Sequence, residues 1–217
     1  MIKVFLTLLV LAFFGGCSFK AKPDAWRHKS INAFSSYTKN FLSNHDALAK
    51  SDLIRAINHA KSSADLTQLS RIYLGECALN ISVGIKDRCE KYLSIADLVQ
   101  NRELDTYYRF IRRQFTSQEL DALAPSYRDF ARYSIKNKSQ KAIESLFKID
   151  KITSKLLAAA LIQEKLSFED VEKIIKLASF YGYKKSVLYW LHVEKTKTTQ
   201  SDQIQKIEKK IKVLESA

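Results

Sequence analysis

Leu66-Thr67-Gln68-Leu69-Ser70-Arg71-Ile72-Tyr73-Leu74-Gly75-Glu76-Cys77-Ala78-Leu79-Asn80-Ile81, followed by Ser82-Val83-Gly84 and the run 86–100, is the stretch that decides the fold. Its spacing predicts one helix over 66–81 and a second over 86–100, with Ser82-Val83-Gly84 supplying the stop and the turn. Cys77 lies six residues before Val83 and Cys89 six after it. At 1.5 Å per helical residue both sit roughly 9 Å from the turn, so an antiparallel hairpin brings them level. A Cys77–Cys89 disulfide is the expectation, closing a loop of about a dozen residues and contributing on the order of 2–3 kcal/mol. Two free buried thiols and a reactive or metal-binding pair are the alternatives, although no third sulfur or nearby histidine supports zinc.

Outward from this hairpin the helical pattern continues. The chain has only five glycines and two prolines, too little turn chemistry for many short strands. Apolar residues recur at three- and four-residue intervals, as in Val171, Ile174, Ile175 and Ala178, and in Ile204, Ile207, Ile211 and Leu214. An all-α fold of roughly ten helices follows. Pro23-Asp24 opens the first, to about Leu42, and Asp46 the second, to about Lys61. Further helices are expected over 102–114, 126–136, 139–147, 153–163 and 184–194, with a last one after a polar linker at 195–201. Thr116 with Glu119 forms a capping box for a short helix that Pro125 interrupts, and Ser167 with Asp170 caps another ending near Tyr181-Gly182. The run Leu156-Leu157-Ala158-Ala159-Ala160-Leu161-Ile162 is apolar on nearly every side, which marks a helix surrounded by neighbours.

The first residues carry an address. Lys3 supplies a positive start, Val4 to Phe14 an apolar run, and Gly15-Gly16 small residues before Cys17. The run of about 11 residues fits a secretory signal and falls well short of the ~20 that span a bilayer. Small residues before a cysteine resemble the lipobox of bacterial lipoproteins, with Phe14 standing where that motif usually has Leu. The resemblance implies a cleaved signal at 1–16, lipid (palmitate among its acyl chains) on Cys17, a tether over 17–23 and a helical domain over 24–217. Of three cysteines, lipidation of Cys17 leaves Cys77 and Cys89 as an even pair in an oxidising compartment.

Short helices joined by short turns read as stacked helical hairpins, a degenerate α-solenoid, with an irregular helical bundle as the alternative. Leu74-Gly75 and Ala78, then Cys89, Leu93 and Ala96, resemble a tetratricopeptide-type unit whose turn is about two residues too long. Leu177-Ala178 with Tyr181, then Val187, Trp190 and Leu191, form a second, poorer echo.

Chemistry is sparse. No phosphate-binding glycine loop, His-Glu-x-x-His or Gly-x-Ser-x-Gly occurs. His28, His45, His59 and His192 lie far apart without ligand spacing, so neither metal nor cofactor is expected. Ser36 to Lys39 and Ser145 to Lys148 match Ser-x-x-Lys, and Glu144-Ser145 resembles the catalytic pair of lytic transglycosylases. None of the other motifs of either family accompanies them, and a solvated helix pair explains them better. No enzyme is expected.

Charge is the other signal. The chain carries +13, and loss of Lys3 with the leader leaves 35 basic against 23 acidic side chains, or +12. Such a surface favours anionic partners, and export makes nucleic acid the wrong one. Lysine-rich composition without a function is the competing explanation. Tyr107, Tyr108, Arg109, Phe110, Arg112 and Arg113, then Tyr127, Arg128, Phe130, Arg132 and Tyr133, interleave rings with arginine. This pattern is either a partner-binding face through Tyr107, Tyr108, Arg109, Arg112, Arg113, Tyr127, Arg128 and Arg132, or an amphipathic region with its rings in the core. The final helix, flanked by Lys206, Lys209, Lys210 and Lys212, either docks a partner helix or caps the stack.

Together these features resemble periplasm-facing tetratricopeptide lipoproteins, which implies a non-enzymatic adaptor or assembly factor in an envelope protein complex, held to a membrane by its lipid. Ser18 after the cysteine implies the outer membrane. The alternative is a basic binder of acidic envelope glycan or lipopolysaccharide, or of lipid headgroups.

Overall fold

The computed structural model describes residues 24–216, so the expected leader at 1–16, the tether at 17–23 and Cys17 lie outside the described residues. Among the described residues there are twelve α-helices and no strand. They are α1 (Ala25–Leu42), α2 (Asp46–Lys61), α3 (Leu66–Ser82), α4 (Glu90–Leu93), α5 (Ala96–Val99) and α6 (Arg102–Ile111). After them come α7 (Pro125–Ile135), α8 (Ser139–Phe147), α9 (Ile152–Leu161), α10 (Phe168–Phe180), α11 (Lys184–Lys195) and α12 (Ser201–Glu215). The all-α reading and most of the expected boundaries hold.

Local chemistry sets the starts and stops. Asp65 caps α3 by accepting from the Gln68 amide at 2.9 Å, and Asn101 caps α6 by accepting from Glu103 and Leu104. Ser167 and Asp170 form the expected capping box of α10. The box of Thr116 and Glu119 holds only a single 3-10 turn, Ser117–Glu119, and Pro125 opens α7 as its first residue, where its missing N–H costs nothing. Gly84 follows α3 at φ +76°, so the amides of Gly84 and Ile85 can return to the carbonyls of Ile81 and Asn80.

One expected helix is not there. The run 86–100 folds as a loop, then two single turns, α4 and α5, and Cys89 stands before α4 in the left-handed region at φ +58°. Asp87 is the cause: its carboxylate accepts from Asn80 Nδ2 and from the Cys89 amide, each at 2.7 Å, and its carbonyl accepts from Arg112 at 2.8 Å. These tertiary bonds hold the backbone out of a helix that local propensity permits. Leu93 is consequently half exposed, so the small–large–small register expected of Cys89, Leu93 and Ala96 does not lie on one helix.

The core forms around α9. Leu156, Leu157, Ala158, Ala159, Leu161 and Ile162 are all buried, and the helix packs on α3, α8 and α10. Helical hairpins pair α1 with α2, α7 with α8, and α10 with α11. An open solenoid confines contacts to neighbouring repeats. Here α3 lies on α9 and α11 returns to α1, where Lys185 stands 4.5 Å over the Phe41 ring, so the stack closes on itself as bundles do. The isoleucine stripe of α12 is turned inward, with Ile207 and Ile211 buried and the helix packed on α11. No helix among the described residues is long and apolar enough to cross a membrane.

Candidate functional site

The rings of the aromatic and arginine region are structural members of the core. Phe110, Tyr127 and Phe130 are buried, Phe110 lying 4.8 Å from Tyr127 and 6.1 Å, edge-on, from Phe130. The arginines beside them are held within the chain. Arg109 pairs with Glu119 at 3.1 Å, Arg113 with Glu164 at 2.8 Å and Arg132 with Asp129 at 2.6 Å. Arg112 donates to the Asp87 carbonyl, and Arg128 to the carbonyls of Leu123 and Asp121. A recess of about 650 Å³ next to Arg109 is likewise of mixed charge, with Asp97, Arg102, Asp105 and Glu119 on its walls.

Cys77 and Cys89 are joined as a disulfide, their Cα atoms 5.3 Å apart and both side chains buried. With Asp87 they form the one group of metal-binding size among the described residues. Both sulfurs are committed to each other and the carboxylate to Asn80 and Cys89, so the group offers no thiolate to a cation.

The site with room for a partner is a groove of about 700 Å³ assembled from six parts of the chain. α1 contributes Ile31, Phe34, Ser35, Thr38 and Lys39, one face of a helix at successive turns. α3 forms the floor with Gly75, Ala78 and Leu79, and a Cβ at position 75 would collide with the ring of Phe34, so glycine lets the tip of that ring reach the floor. Tyr107 of α6 and Tyr127 of α7 meet inside, their ring centroids 6.2 Å apart, with Ser154 on the same lining. Burial above all pushes the pKa of both phenols above the ordinary tyrosine value, that of Tyr107 well above it, so both are neutral near pH 7.

The opposite wall is the start of α9. Lys151, Ile152, Thr153 and Ser154 line it, and no side chain caps the free N–H groups of this first turn. The rim is the α10–α11 turn, where Tyr181 and Tyr183 stack with centroids 5.6 Å apart and Phe180, 83% exposed, meets Tyr181 edge-on. Lys39 and Lys151 are exposed and have no partner among the described residues, and no carboxylate lines the groove.

Two residues singled out in the sequence, Tyr107 and Tyr127, thus belong to the groove; Tyr108, Arg109, Arg112, Arg113, Arg128 and Arg132 do not line it. Ile31, Phe34, Lys151 and Tyr183 were not singled out in the sequence, and Lys39 and Tyr181 entered only in a Ser-x-x-Lys match and a repeat echo, not as binding residues. The run Phe180-Tyr181-Gly182-Tyr183, three rings around a turn glycine at φ +68°, was a legible sign, because turns face water and rings do not belong there without cause. The others lie on ordinary amphipathic surfaces, and only packing assembles them.

No protein-family model, curated protein or solved structure matches this chain.

Proposed function

We propose that this protein is a non-enzymatic adaptor or assembly factor of a bacterial envelope, anchored by lipid on Cys17 and using the groove between α1 and α9 to hold a partner protein beside the membrane. The observation that carries the reading is the groove itself. It is concave, aromatic and built from six separate segments, the arrangement in which desolvated ring anchors concentrate binding energy. The leader ending in Gly15-Gly16-Cys17 supports the anchor, and a short tether supports confinement of the basic body close to the lipid surface. Binding of acidic glycan or lipopolysaccharide through the arginine region draws less support, because those guanidinium groups already have partners within the chain.

Crosslinking in intact cells, with detergent extraction and mass spectrometry, tests the reading. A stoichiometric protein that survives high salt and is lost in Tyr181→Asp is the expected result. Recovery of glycan or lipid alone, released as salt rises, overturns it. Metabolic labelling with an alkyne fatty acid tests the anchor: the label should vanish in Cys17→Ser, and its persistence there would overturn lipidation at this residue.

A further inference from the structure

We infer that the groove is selective for an acidic segment of a partner protein, one in which carboxylates alternate with aromatic or aliphatic side chains. The inference rests on the adaptor reading and adds the chemistry of what is held.

Charge complementarity within the groove is one-sided. Lys39 on α1 and Lys151 before α9 flank it, both exposed and both without an ion-pair partner among the described residues. No aspartate or glutamate lines the walls, although Asp150 is next to Lys151 in sequence. Some cations outside the groove are paired, Arg27 with Asp65, Lys91 with Glu76 and Lys195 with Glu208, but what sets the groove apart is that its lysines flank an apolar surface with no carboxylate on its walls. Two lysines left unmatched across an apolar trough present a positive potential that a carboxylate of the ligand would meet in a partly water-excluded space, where the attraction exceeds its value in bulk water. The uncapped N–H groups opening α9 add partial positive charge on the same wall.

The apolar share of the groove sets the rest of the ligand. Ile31, about half exposed, and Phe34 with Leu157 form a surface that carboxylates alone would leave wet. Side chains between the acids must therefore be apolar. An acidic glycan meets the lysines equally well but fits the remainder poorly. Neighbouring sugar hydroxyls are held by paired carboxylate or carboxamide groups, and none of these lines the groove.

A random twelve-residue peptide library displayed on phage and selected against the full chain in lipid nanodiscs provides the test. The expected outcome is enrichment of peptides bearing Asp or Glu between aromatic or aliphatic residues. Their affinity should fall about tenfold or more in the double variant Lys39→Glu/Lys151→Glu, and also in Tyr181→Ala. Counterparts with the acids changed to lysine should bind that double variant better than the native chain. All three substituted side chains are exposed or half exposed, so an unchanged melting curve confirms that the fold is retained.

Enriched peptides that are neutral or basic, or acidic peptides indifferent to Lys39→Glu/Lys151→Glu, overturn the acidic selectivity. If such peptides still lose affinity in Tyr181→Ala, the groove adaptor survives without it. Peptides indifferent to Tyr181→Ala, or no enrichment together with salt-sensitive binding of polygalacturonate, overturn both.

Discussion

Reduction of the Cys77–Cys89 bond should lower stability by an amount that follows from the loop it closes. The cysteines are 12 residues apart, and the chain-entropy relation for such a loop gives about 3 kcal/mol at 25 °C. Part of this is offset, because Cys89 sits at φ +58° and is free to leave the left-handed region once the bond is cut, a relief of about 1 kcal/mol. The net expectation is a loss of about 2 kcal/mol. With a urea dependence near 2 kcal/mol per molar, the midpoint should move down by about 1 M when dithiothreitol is added. The loss should also be local. α4 and α5 are four residues each, too short to persist unaided, and their order depends on the disulfide, on Asp87 and on buried Tyr92, whose hydroxyl donates to Asp105. Amide exchange should therefore accelerate over 85–100 on reduction while α1 and α9 keep their protection. An unchanged midpoint with unchanged exchange over 85–100 would refute the argument that this covalent link organises the segment.

Three further outcomes are expected. Glu194 of α11 is buried, and burial above all raises its pKa, with Lys210 opposing and Glu172 adding to the rise. A carboxyl shifted this way favours folding below its unfolded value and loses that advantage as pH rises through its folded value, so Glu194→Gln should stabilise the chain once pH has passed that folded value and flatten the decline that begins above about pH 4.5 in thermal melts. Asp65→Ala should cost about 1 kcal/mol at pH 7, read by urea titration, through loss of the cap on the Gln68 amide and of Arg27 at 3.2 Å. That backbone bond above all holds the Asp65 pKa low, so the contribution should fade as pH falls through its folded value, below the ordinary carboxylate range. Gly84→Ala should cost at least about 1–2 kcal/mol in the same titration, since φ is +76° and a Cβ would strike the ring of Tyr189; a cost near zero would mean that the turn after α3 is not held as described.

Legibility followed the range of the interactions. Caps at Asp65, Asn101 and Ser167 act over three residues, and the helices they open came out close to the boundaries read from the chain. The buried character of α9 was equally plain, because a run of leucine and alanine with no polar face has nowhere to go but inside. The segment 86–100 failed for the complementary reason: Asp87 is bonded to Asn80 and Arg112, seven and 25 residues away, and no local pattern announces that. The arginines misled in the same way. Arg113 finds Glu164, 51 residues on, and becomes a structural tie, while Lys39, met in the sequence only in a Ser-x-x-Lys match, and Lys151 are left facing the groove without a partner.

By itself the sequence determined that this chain is helical, where most helices begin and end, and that the surface is basic. All of these depend on periodicity, capping and composition, which act over a few residues or over the whole chain at once. Tertiary structure alone decided that the stack closes through α3 on α9 and α11 on α1, that Asp87 unwinds a predicted helix, and that an aromatic groove opens between α1 and α9. Each requires side chains from distant segments to meet, and which surfaces meet is set by the packing of the whole core rather than by any stretch of it.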